Sequence, residues 1–241
     1  MHNEYGIIGT KLGHSFSPEY FSTKFKKSGL KHTYTPFELE SIDELPHLIR
    51  SRTKLVGLNV TIPFKEQVIP LLHHCSPEAR DLGAVNTIKI VNNEFHGFNT
   101  DVIGFEISLN SLGLRRAEAL VLGTGGASKA VQFVLKQKGV PFQLVSRSAQ
   151  PGVITYRQLD RETMGQYNLI INTTPLGMYP EVKSKPELPY HCLTEHHTLM
   201  DLVYEPRLTR FLAEGFHRGC RIKNGFQMLV EQAEASWKIW Q

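Results

Sequence analysis

Residues 119–128 read Ala119-Leu120-Val121-Leu122-Gly123-Thr124-Gly125-Gly126-Ala127-Ser128: four apolar residues, a glycine-rich turn, then the opening of a helical pattern. A short apolar run suits a strand buried on both faces, as in a parallel sheet. The glycines permit the tight turn and let backbone amides approach a pyrophosphate. Small Ser128, in the third-glycine place, lets helix and strand pack closely. The helix N-terminus adds unpaired N–H groups and a dipole that favours phosphate. A bare Gly-x-Gly also serves plain strand-to-helix turns. The strand before it, the helix after it and the extra Gly126 favour dinucleotide binding.

The following strand, 142–145, selects the dinucleotide. A ribose without a 2′-phosphate is held by an Asp or Glu at the end of that strand. Here Ser146-Arg147-Ser148 follows, with no acid before Asp160. An arginine fork suits a 2′-phosphate, and the two hydroxyls add hydrogen bonds. NADP is therefore expected over NAD, against the plain alternative of a solvated arginine.

On both sides of this unit short apolar runs alternate with helical patterns. Strands are expected at 5–9, 34–39 and 55–61, with helices at 18–28 and 42–52. A strand at 87–91 follows, and then a second series. Its helices are expected at 105–112, 127–138 and 209–218, and its strands at 119–122, 142–145, 168–172, 198–202 and 219–222. This order predicts an α/β protein of two domains. The N-terminal domain is expected to have a mainly parallel sheet, and the second to be Rossmann-like and doubly wound, with a cleft between them. In the stretch 225–240, Phe226, Leu229, Val230, Ala233, Trp237 and Trp240 recur at helical spacing. A helix with that face must bury it, and it is expected to return to the first domain. The expected division is 1–102 plus 224–241, and 103–223.

At 241 residues, 41% hydrophobic and 21% charged, the chain has ample apolar mass for a core. The formal charge of +4 is spread along the sequence and includes no basic arm, so a nucleic-acid partner is not expected. A small anion is the expected beneficiary. Three scattered cysteines fit neither a disulfide framework nor a zinc knuckle. The pairs His73-His74 and His196-His197 read as solvated surface, so no metal is expected. No leader pattern and no membrane-length apolar run is seen, which gives a cytoplasmic expectation.

Polar residues cluster where the first domain's strands give way to helices. Ser15 and Ser17 precede a helix whose Ser17-Pro18 pair reads as N-cap and N1. Thr61 and Lys65 flank Pro63, Asn86 lies in a turn, and Asp101 lies where the domains meet. Singly, each has an ordinary structural reading.

Eight motifs occur in order: Gly-x-x-x-Gly-His-Ser-x-Ser-Pro, Asn-Val-Thr-x-Pro-x-Lys, Gly-Ala-Val-Asn-Thr, Gly-x-Asn-Thr-Asp, Gly-x-Gly-Gly-Ala-Ser, Asn172 to Met178, Asp201 to Pro206, and Gly225 to Ala233. Across nearly the whole chain the sequence resembles the shikimate dehydrogenase family. The resemblance implies a substrate-binding first domain, an NADP-binding second domain, and reversible NADPH-dependent reduction of 3-dehydroshikimate to shikimate. It implies Lys65 and Asp101 as the catalytic pair. Ser15 and Ser17 would hold the substrate carboxylate, and Thr61, Asn86, Asp101 and Gln232 its hydroxyls, with Tyr204 lining the site. Gly123, Thr124, Gly125, Gly126 and Ala127 would bind pyrophosphate, and Ser146, Arg147 and Ser148 the 2′-phosphate. Thr173, Leu202 and Gly225 would sit near the nicotinamide. Members that use NADP commonly have Asn before the arginine and a further basic residue shortly after. This chain has Ser146 and Ala149-Gln150-Pro151, which implies a weaker phosphate clamp. The protein would act as a monomer or homodimer. The competing readings are a quinate/shikimate dehydrogenase using NAD and a non-catalytic NADP-sensing module.

Overall fold

The computed structural model describes residues 2–13 and 15–241, so His14 of the first motif lies outside the described residues. The chain forms two compact units, 1–100 with 233–241 and 101–232.

The first unit contains β1 (Glu4–Gly9), α1 (Phe16–Lys27), β2 (Thr33–Glu38), α2 (Leu45–Arg50), β3 (Leu55–Val60), α3 (Phe64–Gln67), β4 (His74–Cys75), α4 (Pro77–Leu82), β5 (Thr87–Val91) and β6 (Glu94–Phe98). Its sheet order is β2-β1-β3-β5-β6-β4. β1 pairs in parallel with β2 and β3, whereas β5 runs antiparallel to both β3 and β6. Successive side chains of β1 go to opposite faces. Ile8 joins a core with Leu58, Val60 and Phe64, while Tyr5 and Ile7 join Phe21, Phe25, Tyr34 and Trp240. The β5–β6 hairpin turns on Asn92 and Asn93, both at positive φ (52° and 65°). That is the two-residue turn whose twist matches a hairpin, and asparagine tolerates it better than most residues.

The second unit contains α5 (Asp101–Asn110), β7 (Ala119–Leu122), α6 (Gly126–Gln137), β8 (Phe142–Ser146), β9 (Val153–Thr155), α7 (Arg161–Gln166), β10 (Leu169–Asn172), β11 (Thr198–Asp201), α8 (Arg210–Phe216) and β12 (Arg221–Lys223). α9 (Phe226–Trp240) follows, and its final residues belong to the first unit. The sheet order is β12-β11-β10-β7-β8-β9, and all five pairs are parallel. Relabelled within the unit this is 6-5-4-1-2-3, the doubly wound order with its reversal between β7 and β10. All four residues of β7 are buried, as a central parallel strand covered on both faces requires.

Four local readings differ from the sequence expectation. α5 begins at Asp101, where the expected helix begins at 105. α1 begins at Phe16, with Ser15 rather than Ser17 in the N-cap position. Pro18 is accommodated because a first-turn residue has no intrahelical N–H bond to lose. Two short elements, β9 and α7, occupy residues that carry no clear pattern, and α7 is started by the Asp160 side chain accepting from Thr163 N at 2.8 Å. The hairpin partner β6 and the two-residue strand β4 also lack a sequence signal of their own.

Candidate active site

In the first unit, the carboxyl ends of β1 and β3 and the amino end of antiparallel β5 fall on the same edge of the sheet. Backbone bonds fix what stands there. Thr61 N donates to Ile8 O at 3.0 Å, which ties the residue after β3 to β1. Phe64 N donates to Thr61 O at 2.9 Å and opens α3, the short helix that carries half-buried Lys65. Val85 N donates to Lys65 O at 2.8 Å, and Val60 N to Asn86 O at 2.8 Å. Thr61, Lys65 and Asn86, far apart in sequence, are therefore held together by main-chain bonds.

Asn86 is 3% exposed, and its Oδ1 accepts three hydrogen bonds: from Thr100 N at 2.7 Å, Thr87 Oγ1 at 3.0 Å and Thr100 Oγ1 at 3.1 Å. A backbone N–H can only donate, so this identifies the oxygen of the amide. What Asn86 has left to offer a ligand is the Nδ2 donor. Behind it lies a closed neutral network. Asn59 Nδ2 donates to Ser236 Oγ at 3.0 Å, and Thr87 and Thr100 hydroxyls lie 2.8 and 3.1 Å from the same Oγ. Tyr34 donates to Asn59 Oδ1 at 2.7 Å. Burial holds the Tyr34 hydroxyl far above its ordinary range, against a smaller opposing hydrogen bond from Ser17. Ser17 is thus buried in the first turn of α1 beside Tyr34, while half-exposed Ser15 caps the helix without a side-chain bond.

In the second unit the corresponding edge is made mostly of backbone. Gly123 has φ +105°, and a Cβ there would stand 2.9 Å from Thr173 Oγ1. A side chain is excluded twice over, by strain and by space. Thr173 locks the β7–β10 reversal, its N and Oγ1 both donating to Leu122 O, at 3.0 and 2.7 Å. Gly125 is the N-cap of twelve-residue α6 and makes no side-chain cap bond. A Cβ at Gly125 or Gly126 would meet nothing within 4 Å. These two glycines leave room for a ligand rather than for packing. The group an NADP pyrophosphate needs is present: open, uncapped N–H donors at a helix start, with exposed Thr124 and Ala127 beside them. Ser148 N donates to Ser146 Oγ at 3.1 Å, and Ser146 Oγ donates to Ser148 O at 2.6 Å. The Ser146 hydroxyl therefore shapes the turn that presents exposed Arg147.

Next to the reversal lies a buried carboxylate that the sequence reading left unassigned. Asp201, fully buried at the end of β11, accepts from Asn172 Nδ2 at 2.9 Å, Val203 N at 3.0 Å and Thr209 Oγ1 at 2.6 Å. Burial outweighs these three donors and pushes its pKa up to about 6. Asn172 in turn accepts from Thr174 N and Oγ1, at 3.1 and 2.6 Å. The network shapes the loops that carry Thr173 and Leu202–Tyr204. Gly225 N donates to Val203 O at 3.1 Å, and a Cβ on Gly225 would collide with Leu202 O at 2.1 Å, so Leu202 and Gly225 are neighbours. Tyr204 is half-buried, and burial followed by the Glu205 charge raises its pKa.

Asp101 opens α5. One turn later Gly104 packs against α9, where a Cβ would lie 2.5 Å from Met228 O and 3.1 Å from Gln232 N. Asp101 thus shares a face of α5 with the contact to Gln232, which is 9% exposed and donates to Leu229 O at 3.0 Å. In the first unit main-chain bonds gather Thr61, Lys65 and Asn86, and in the second Thr173 stands beside Gly123 and Leu202 beside Gly225. The supporting polar groups (Tyr34, Asn59, Thr87 and Ser236 in one, Asn172 and Thr209 in the other) were missed. Asn59 and Asn172 sit inside the quoted motifs, and a polar residue in an otherwise apolar strand was the available signal.

The family described as "Shikimate dehydrogenase substrate binding domain" matches residues 7–88. A shikimate dehydrogenase (NADP(+)) of Clostridium beijerinckii is 40% identical over 248 residues, which cover 98% of this chain and 91% of that protein. The crystal structure of a Thermus thermophilus shikimate 5-dehydrogenase in complex with NADP(H) and shikimate is similar at TM-score 0.87 and 31% identity, over 99% of this chain and 93% of that one. A quinate dehydrogenase of Corynebacterium glutamicum in complex with NAD is similar at TM-score 0.90 and 26% identity, over 100% of this chain and 94% of that one.

Proposed function

The chain belongs to the shikimate dehydrogenase family, and on that premise we propose that it catalyses the reversible NADPH-dependent reduction of 3-dehydroshikimate to shikimate, in the shikimate pathway of aromatic amino acid biosynthesis. The sheet edge of the first unit is the proposed seat of the substrate ring, and the glycine turn of the second that of NADP. One observation carries the reading: the main-chain bonds that gather Thr61, Lys65 and Asn86 at a single sheet edge, in a chain related to these enzymes over 98% of its length.

NADPH, when bound, supplies the hydride that the ring carbonyl carbon takes up. The half-buried Lys65 ammonium stabilises the charge developing on the carbonyl oxygen and delivers the proton that makes it a hydroxyl. Asp101 is the proposed second catalytic group, which orients the reacting oxygen. In the oxidation direction Lys65 takes the proton back. Asn86 presents its Nδ2 donor to a ring oxygen, since its Oδ1 is already saturated. Thr61 and Gln232 bind the remaining hydroxyls, Ser15 and Ser17 the carboxylate, and Tyr204 lines the ring. The turn at Gly123–Ala127 holds pyrophosphate, Ser146–Ser148 the 2′-phosphate, and Thr173, Leu202 and Gly225 border the nicotinamide. The proposed address is the cytoplasm, and the proposed state a monomer or homodimer. No helix among the described residues is long and apolar enough to cross a membrane.

A second reading, oxidation of quinate with NAD, is favoured by the likeness to the quinate dehydrogenase and by the lack of a further basic residue at Ala149-Gln150-Pro151, whereas Arg147 argues against it. Initial rates with shikimate and quinate, each with NADP and with NAD, decide between them. The highest kcat/KM is expected for shikimate with NADP. A highest value for quinate with NAD would replace the first reading by the second. No turnover of any pair, with NADPH still bound, would leave an NADP-sensing module.

A further inference from the structure

At the outer edge of the first sheet, well away along the strand order from β1 and β3, β4 pairs in parallel with β6 so that His74 stands opposite His96. Glu94 lies two residues before His96 on β6 and therefore shares its face. Their ligand atoms all lie within 4.8 Å of one another. His74 Nε2 is 3.4 Å and His96 Nε2 3.6 Å from the same Glu94 Oε2. The rings stack with centroids 4.5 Å apart at 27°.

These distances match what one ion imposes. A tetrahedral cation with ligand atoms at about 2.0–2.1 Å holds those atoms roughly 3.3–3.4 Å apart. Small side-chain rotations would bring both nitrogens and the oxygen onto a common centre. A second observation points the same way. His96 Nε2 is buried and makes no hydrogen bond, its Glu94 partner lying at 3.6 Å, beyond hydrogen-bond range. A buried polar atom left unpaired costs free energy, and a coordinate bond would remove that cost. The set of two imidazoles and one carboxylate suits zinc, cobalt or nickel and not the all-oxygen shells of magnesium or calcium. Lys89 pairs with His96 across β5 and β6 and so places an ammonium on the same face. The ion pairs found for Glu94 are nevertheless to the two histidines.

We propose that His74, Glu94 and His96 form a site for a divalent transition cation of the zinc class, with solvent in the remaining position, that clips the two-residue edge strand β4 to β6. Each imidazole must offer an unprotonated nitrogen to coordinate, so binding competes with protons. The sequence hides this site because His74 lies 20 and 22 residues from Glu94 and His96 on another strand, and the three become neighbours only through the register that the Asn92-Asn93 turn and the β4–β6 pairing set.

The test is titration of zinc, by calorimetry, into chelator-treated full-length protein, with magnesium as control and cobalt(II) visible absorption as a second readout. One equivalent of zinc is expected to bind, magnesium is not, and cobalt should give the bands of a low-coordinate site. H74A/H96A, and separately E94Q, should lose the binding, while circular dichroism and NADPH binding stay those of the parent. Zinc should raise the melting temperature of the parent only. Absence of a zinc isotherm in the parent, or one that persists in both variants, overturns the proposal.

Discussion

The two sheets present their proposed ligand-binding edges in different materials. In the first unit the edge is made of side chains, with neutral amides and hydroxyls from β2, β3, β5 and α9 closing on one another around Asn86. In the second it is made of glycines and main-chain N–H groups, braced from behind by one buried carboxylate, Asp201. A small polyhydroxylated ring must be distinguished by several directed hydrogen bonds, which only fixed side chains supply. A pyrophosphate needs charge-complementary backbone at close range, which bulky side chains would block.

The largest effect that separates the two edges is a response to pH. Asp201 has a folded pKa of about 6 against an ordinary 3.8, so the folded state holds the proton more tightly. Its stabilising contribution is complete below about 3.8 and is lost as pH rises through about 6. A rise of that size corresponds to about 3 kcal/mol. D201N keeps an acceptor for Asn172 and Val203 and presents an amide to Thr209, so denaturant unfolding between pH 4 and 7 should lose most of this slope. A slope unchanged in D201N would remove the carboxylate from the account.

The neutral edge should respond to truncation instead. Asn86→Ala strands the Thr100 N–H in a buried place, which costs about 1–3 kcal/mol. Denaturation should register that loss with little dependence on pH. The variant should also raise KM for shikimate more than KM for NADP; an equal rise in both would deny Asn86 its place on the substrate side.

Smallest is the effect at the exposed phosphate turn. Arg147→Ala should raise KM for NADP roughly tenfold, in keeping with one charge-assisted hydrogen-bonding group at a solvated site. KM for NAD and for shikimate should not move. An equal change with NAD would show that Arg147 serves some part of the dinucleotide other than the 2′-phosphate.

What was legible follows the same divide. β7, its glycine turn and α6 are contiguous, so one stretch of sequence displays strand, turn and helix together. Lys65 and Asn86 were found through their motifs, because their meeting at one sheet edge depends on pairings such as Val85 with Lys65 that no local pattern encodes. Ser17 was misplaced for a physical reason: Ser-Pro is a good start signal, yet burial beside Tyr34 outweighs it and the helix starts two residues earlier. β4, β6, β9 and α7 are two to six residues long, too short for periodicity to show. Asp201 is the clearest omission, an acid in an apolar strand whose partners Asn172 and Thr209 lie 29 and 8 residues away.

The central claim is that Lys65 carries the proton in this reaction. It is tested by measuring, on one preparation of Lys65→Ala, turnover with saturating shikimate and NADP together with NADPH affinity by fluorescence. Turnover should fall roughly a hundredfold or more, as expected for loss of a general acid–base group, while NADPH affinity stays that of the parent. Turnover equal to the parent's, with the cofactor bound as tightly, would contradict the account.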